Sequence, residues 1–277
     1  MVNMRKWLPI IGWTLLAVSV YYLLEVLFNT VFRPILQTAT TKEQYTQYVL
    51  IANISMKAVT LIVFAFWYKV REHKWHFCPD YRRVFGVKTM AKLVALALLL
   101  QYAIGFCMTF VRFFAPALFA EYDKLTEALS LQNGPPFVMF FLVVILGPIA
   151  EEVLFRGVIY GKLREGFTVT QAAVISAAIF GIYHKNIVQG IYSALVGIVL
   201  AYVFEKTGTI LGASLLHMLF NMSAYVVIWI NHLLRQSGIP AMFYFAFDLA
   251  CIVVVVLLLV SMRGDTNRYD KIYLDLS

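Results

Sequence analysis

Three charged residues occur within six positions of a strongly apolar part of the chain. The stretch "GPIAEEVLFRG", residues 147–157, contains Glu151, Glu152 and Arg156. Glu152 lies four residues before Arg156, and an acid N-terminal to a base at this spacing favours an ion pair on one helix face. Glu151 points about 100° away from Glu152 around such a helix. The pattern therefore predicts that Glu152 and Arg156 neutralise each other and that Glu151 is left over for chemistry.

Two histidines follow on later apolar segments. "FGIYH" places Phe180 four residues before His184, and "HMLFN" places His217 four residues before Asn221, so each pair shares a helix face. At about 1.5 Å per residue, Glu151 and His184 both lie roughly 22 Å from the loop between their helices. The second pair lies roughly 12–18 Å into its own helix. We therefore expect a carboxylate, two imidazoles and an amide to converge in a helix bundle.

These residue types suit the hydrolysis of a peptide bond. That reaction needs a base that activates water, a route for the proton and donors to the oxyanion. A carboxylate can be the base, and the amide of Asn221 can donate to an oxyanion without titrating. Gly147 and Pro148 precede the glutamates, and we expect them to loosen the helix so that water reaches the site.

The composition is that of an integral membrane protein. Of the 277 residues, 61% are hydrophobic and 14% are charged, whereas a soluble domain is typically about half apolar and about a quarter charged. A spanning helix needs about 20 mostly apolar residues. We predict an all-α, polytopic transmembrane helical bundle in the cell membrane, with about eight spans at residues 7–29, 46–68, 91–118, 137–160, 170–186, 188–205, 210–230 and 240–262.

The positions of the basic residues predict the orientation and the domains. Residues 69–92 are rich in Lys and Arg, so this loop is expected to be cytoplasmic, and an even number of spans places both termini there. We predict N-terminal transmembrane helices with this loop in residues 1–120 and a catalytic core in residues 121–277. The same bias explains the net charge of +8, and we expect no nucleic-acid partner.

Other ionisable residues also fall within predicted spans. Glu25 and Arg112 lie near span ends, where long side chains can reach the interface. Lys57 and Asp248 lie deeper, with no polar partner at helical spacing on their own helix. We interpret them as structural or gating residues.

The ordered motifs EExxxR, FxxxH and HxxxN resemble a known family. They are similar to those of the CPBP (Abi) family, which comprises the type II CAAX prenyl endopeptidases, also called Ras-converting enzymes, and bacterial relatives. The resemblance covers roughly residues 137–230. It implies an intramembrane endopeptidase that acts on a peptide or membrane-protein substrate in the lipid bilayer, in peptide or bacteriocin processing or in self-immunity. Arg156 and Phe180 would be its structural support.

The resemblance also implies a catalytic role at each remaining motif position. Glu151 would be the general base that activates water, and Glu152 would support it. His184 would help to hold the water or hydroxide. His217 and Asn221 would donate hydrogen bonds to the oxyanion of the tetrahedral intermediate.

Two alternatives stay open from the sequence. The zinc-peptidase motif HExxH is absent, and we expect no cofactor, but Glu151, His184 and His217 could also form a zinc site. The same cavity could belong to a non-catalytic membrane regulator or immunity protein that binds a peptide or a membrane partner. A transporter with a proton relay is less favoured, because no internal repeat is visible.

Overall fold

The computed structural model describes residues 4–74, 84–128, 137–236, 238 and 240–262, and the regular structure in these ranges is entirely helical. A 3-10 turn, Pro116–Leu118, precedes α4. The longer helices of the described ranges are α1 Met4–Gln37, α2 Lys42–Lys74, α3 Val87–Phe114, α4 Phe119–Ala128, α5 Phe137–Leu163, α6 Val169–Tyr183, α7 Ile187–Thr207, α8 Ile210–Arg235 and α9 Ala241–Ser261.

Seven helices in the described ranges are long and apolar enough to cross a membrane, namely α1, α2, α3, α5, α7, α8 and α9. The fifth predicted span, 170–186, corresponds to α6, which is apolar but has only 15 residues. Such a helix extends about 22 Å, less than the roughly 30 Å of a hydrocarbon core. The predicted all-α polytopic bundle is confirmed. The orientation of the termini stays a prediction, and residues 75–83 of the basic loop lie outside the described residues.

The chain divides into two compact units. Unit 1 comprises Met1–Phe77 and Pro136–Ala172, and unit 2 comprises Cys78–Pro135 and Ala173–Ser277. Unit 1 therefore contains α1, α2 and α5, and unit 2 contains α3, α4, α7, α8, α9 and most of α6. The predicted division at residue 120 concerns where catalysis takes place, and it stays a prediction.

Aromatic contacts of α1 brace the helices of unit 1. Trp13 of α1 packs edge-on against Trp67 of α2, with ring centres 5.5 Å apart. Trp7 lies 5.1 Å from the ring of Phe167, just after α5, and the Lys162 Nζ at the end of α5 lies 5.8 Å from the Trp13 ring centre. Because one helix contacts both of the others, α1 supports the pairing of α2 with α5.

Polar side chains join the helices of unit 2 across otherwise apolar faces. Gln101 Nε2 of α3 donates to the carbonyl oxygen of Phe220 on α8, at 2.6 Å. The Tyr202 hydroxyl of α7 donates to the carbonyl oxygen of Leu259 on α9, at 2.9 Å. In a bilayer, helices associate through close packing and such hydrogen bonds, because lipid tails are as apolar as the helix faces.

Two glycines allow α6 and α7 to approach closely. A Cβ at Gly181 would lie 2.6 Å from the carbonyl oxygen of Gly190, and a Cβ at Gly190 would lie 2.9 Å from the carbonyl oxygen of Gly181. Both contacts would be with backbone, which cannot rotate away. The glycines therefore set the spacing of the hairpin that carries His184.

We expect Gly181→Ala to destabilise the protein by about 1–3 kcal/mol, the usual cost of overpacking. Thermal unfolding of the purified protein in micelles would measure the loss. Gly105→Ala in α3 is the matched control, because nothing lies within 4 Å of a Cβ built there. Equal melting temperatures for Gly181→Ala and the wild-type protein would contradict this reading of the hairpin.

Candidate active site

The helix that carries both glutamates, α5, departs from regular α-helical geometry. The Gly147 N–H donates to the carbonyl oxygen of Leu142, five residues earlier, and Pro148 has no N–H to donate. Turns of this kind often occur at functional sites. The expected loosening of the helix and the access of water both stay predictions. The helix is π-helical in two segments, Leu142–Leu146 and Val153–Tyr160, and α-helical between them over Gly147–Glu152.

Glu152 and Arg156 form the ion pair that their spacing predicts. The Arg156 Nη1 donates to Glu152 Oε1 at 2.8 Å, and both side chains are 0% exposed. Phe155 and Ile159 are buried beside them. Removing one partner of such a pair leaves a buried charge without compensation, so the stability of the fold is expected to depend on both residues together.

Glu151 also has a cationic partner, on a different helix. Lys57 Nζ of α2 donates to Glu151 Oε1 at 2.6 Å, and the two side chains are 19% and 12% exposed. The expectation that Glu151 has no ion-pair partner is wrong, whereas a structural or gating role of Lys57 stays a prediction. The two residues are 94 positions apart, so spacing along one helix could not reveal the pair. The signal available was the depth of Lys57, since a charge within a bilayer needs a counter-charge.

In unit 2, the Phe180 ring lies against both predicted histidines. Its centre is 4.7 Å from the His184 ring and 5.8 Å from the His217 ring, with interplanar angles of 83° and 88°. Phe180 is 1% exposed. The structure therefore brings together the FxxxH motif of α6 and the first residue of the HxxxN motif of α8. Asn221 lies one turn after His217 on the same helix and is partly buried.

The end of α6 fixes the His184 ring and its tautomer. His184 Nδ1 lies 2.8 Å from the carbonyl oxygen of Phe180. A carbonyl oxygen only accepts, so Nδ1 carries the hydrogen and Nε2 of the neutral ring is the acceptor nitrogen. Lys185 then adopts a left-handed φ of 56°, and the Asn186 side chain caps α7 by accepting from the Gln189 N–H at 3.0 Å. His184 thus lies at the turn between α6 and α7, with Nδ1 held by the backbone of α6.

Of the other charged residues, Arg112 behaves as its position predicts. Its Nη2 lies 2.6 Å from Asp123 Oδ1, and the two side chains are 51% and 52% exposed. The guanidinium also lies 4.2 Å from the centre of the Phe119 ring. The group lies at the surface end of α3, where a charge costs little.

The predicted site residues are thus divided between the two units. The carboxylates and their cations belong to unit 1, and the histidines, Phe180 and Asn221 belong to unit 2. Their convergence on one substrate stays a prediction.

A known protein family matches the segment that holds these motifs. The family model of the type II CAAX prenyl endopeptidases, Rce1-like, matches residues 133–223. This segment, the Rce1-like domain, is similar to that family. The resemblance of the three motifs to that family is confirmed, and the chain is a multi-pass membrane protein.

A curated bacterial protein is similar to part of this chain. The "Putative membrane peptidase YdiL" of Bacillus subtilis (strain 168) is 33% identical over 108 residues. The matched stretch covers 39% of this chain and 43% of the relative. No solved structure matches the chain significantly.

The Rce1-like domain contains every catalytic position predicted from the sequence, whereas Lys57 precedes it. Within either unit, the described residues include no group of three or more His, Cys, Asp or Glu side chains that could hold a metal ion. The zinc alternative takes Glu151 from unit 1 and His184 and His217 from unit 2, and it stays a prediction.

Proposed function

We propose that this protein is an intramembrane endopeptidase that hydrolyses a peptide bond with a glutamate-activated water. The observation that carries the proposal is the Rce1-like domain, residues 133–223, which includes Glu151, Glu152, His184 and His217. The named peptidase relative in Bacillus subtilis supports the same class of reaction.

The proposed reaction begins with water. Glu151 accepts a proton from the water, while the acceptor nitrogen of His184 holds it by a hydrogen bond. The resulting hydroxide attacks the carbonyl carbon, and His217 and Asn221 donate hydrogen bonds to the oxyanion. When the intermediate collapses, the C–N bond breaks and the amine leaves with the proton held by Glu151. Glu152, already bonded to Arg156, supports the base electrostatically.

The proposed substrates are peptides or membrane proteins whose scissile bond reaches the bilayer. Bacterial members of the wider CPBP family suggest the biological setting, which is peptide or bacteriocin processing or self-immunity. We propose that hydrolysis proceeds without a metal ion. Metal analysis of the purified protein, together with a chelator assay, tests this point. A stoichiometric zinc whose removal abolishes cleavage would replace the glutamate–water mechanism with the zinc alternative.

Histidine variants test whether α6 and α8 take part in the chemistry. We expect His184→Ala and His217→Ala each to lower the rate of cleavage by about 10²–10³-fold, the usual effect of losing one group that stabilises the reacting atoms. The assay would use protein in liposomes and a proteome-derived peptide library, with products identified by mass spectrometry.

His232→Ala is the matched control for these variants. His232 lies on the same helix as His217, is exposed, and contacts Gln236 at 3.1 Å. The His232→Ala variant should cleave at the wild-type rate. Unchanged cleavage in both His184→Ala and His217→Ala would reject the mechanism.

A second candidate is a non-catalytic regulator or immunity protein that binds a peptide or membrane partner. It is favoured by one observation, which is that both glutamates are ion-paired, as they would be in a purely structural network. A cellular phenotype that survives Glu151→Gln would support this candidate against the peptidase.

A further inference from the structure

We propose that Lys57 is a positioning residue for Glu151, which holds the carboxylate oriented so that it can take a proton from water. The inference rests on the proposed peptidase function. It adds a residue from α2, which lies outside the Rce1-like domain of residues 133–223.

The contact has the geometry of a strong, charge-assisted hydrogen bond. The Nζ–Oε1 distance is 2.6 Å, shorter than the usual distance between an ammonium and a carboxylate oxygen. Both side chains are mostly withdrawn from solvent, at 19% and 12% exposed. Water screens such a pair much less than it screens a surface pair.

The environment of Glu151 makes a counter-ion necessary. A charge inside a bilayer is costly, and an adjacent opposite charge offsets part of that cost. Arg156 Nη1 is bonded to Glu152, and Lys57 Nζ contacts the Glu151 carboxylate directly.

The helices of unit 1 hold this pair in place. Trp13 of α1 packs against Trp67 of α2, and Lys162 near the end of α5 lies over the Trp13 ring. The bond from Lys57 then fixes Oε1 of Glu151 between two braced helices. A base held in this way is oriented before substrate arrives, which is the arrangement that favours the chemical step.

The test compares Lys57 variants of this 277-residue chain in liposomes, with a peptide that the wild-type protein cleaves. We expect Lys57→Met and Lys57→Gln to lower kcat by about 10²-fold, the scale of a misplaced catalytic group, with little change in KM. Lys57→Arg should retain most of the activity, because it keeps the charge. Added methylammonium should partly restore cleavage by Lys57→Ala, which a merely structural role would not allow.

Lys42→Met is the control for loss of a lysine from the same helix. Lys42 is exposed at the first position of α2, and its variant should cleave at the wild-type rate. Thermal unfolding would show which variants are folded, and Lys57→Gln decides the question if Lys57→Met does not fold.

The outcomes separate this inference from the proposed function. Wild-type kcat in Lys57→Gln, or Arg and Gln variants that are equally impaired with no rescue by methylammonium, would overturn the role of Lys57. If the role of Lys57 is overturned but Glu151→Gln is inactive in the same assay, the peptidase proposal is retained. Wild-type cleavage by Glu151→Gln would instead overturn the proposed function itself.

Discussion

Glu151→Gln is expected to bind substrate normally and to hydrolyse it about 10²–10⁴-fold more slowly than the wild-type protein, the usual contribution of a general base. Gln has the size of Glu but cannot accept a proton from water. The loss should appear in kcat rather than in KM, because the base acts on the transition state. Single-peptide kinetics in liposomes would measure both constants.

Glu165→Gln is the matched control for this experiment. Glu165 also accepts a hydrogen bond from a lysine, Lys162 Nζ at 2.5 Å, and is 19% exposed, but the mechanism gives it no role. Its variant should retain the wild-type kcat. If both variants lose activity equally, the effect comes from broken ion pairs and not from loss of the base.

The inactive variant would also identify the substrate. A Glu151→Gln protein that binds but does not cleave should retain its peptide through purification, and mass spectrometry would then name the peptide. Copurification of an intact partner protein with both wild-type and variant chains would favour the regulator.

Arg156→Met is expected to destabilise the protein by about 3–5 kcal/mol, because it leaves the Glu152 carboxylate buried without its counter-charge. Both side chains are 0% exposed, so water cannot solvate the remaining charge. Chemical denaturation in micelles would measure the free energy of unfolding.

Two further variants are the controls for Arg156→Met. Arg112→Met breaks a pair whose side chains are 51% and 52% exposed, and its cost should be at most about 1 kcal/mol. Glu152→Leu with Arg156→Met replaces both partners by apolar side chains and should recover most of the lost stability. If Arg156→Met were as stable as the wild-type protein, the lone Glu152 carboxylate would not be destabilising, and this reading of the buried pair would be wrong.

The sequence determined the features that depend on neighbours along one helix. An ion pair at four-residue spacing needs only the helix itself, so Glu152 with Arg156 could be predicted. The same spacing predicted that His184 shares a face with Phe180. Long apolar runs predicted the spans, because a bilayer requires helices of about 20 apolar residues. The ordered motifs were sufficient to predict the family.

Tertiary structure decided the features that depend on contacts between helices. The pair of Lys57 with Glu151 joins residues 94 positions apart, and spacing carries no information about which helices pack together. The position of Phe180 between His184 and His217 likewise depends on how α6 packs against α8. The π-helical turns of α5 arise where backbone hydrogen bonding shifts from four residues to five. The sequence therefore determined which residues are chemically able to act. Helix packing within each unit decided which of their charges are neutralised. The physical reason is that opposite charges attract strongly only at short distance, and residues far apart in sequence come close only in the folded chain.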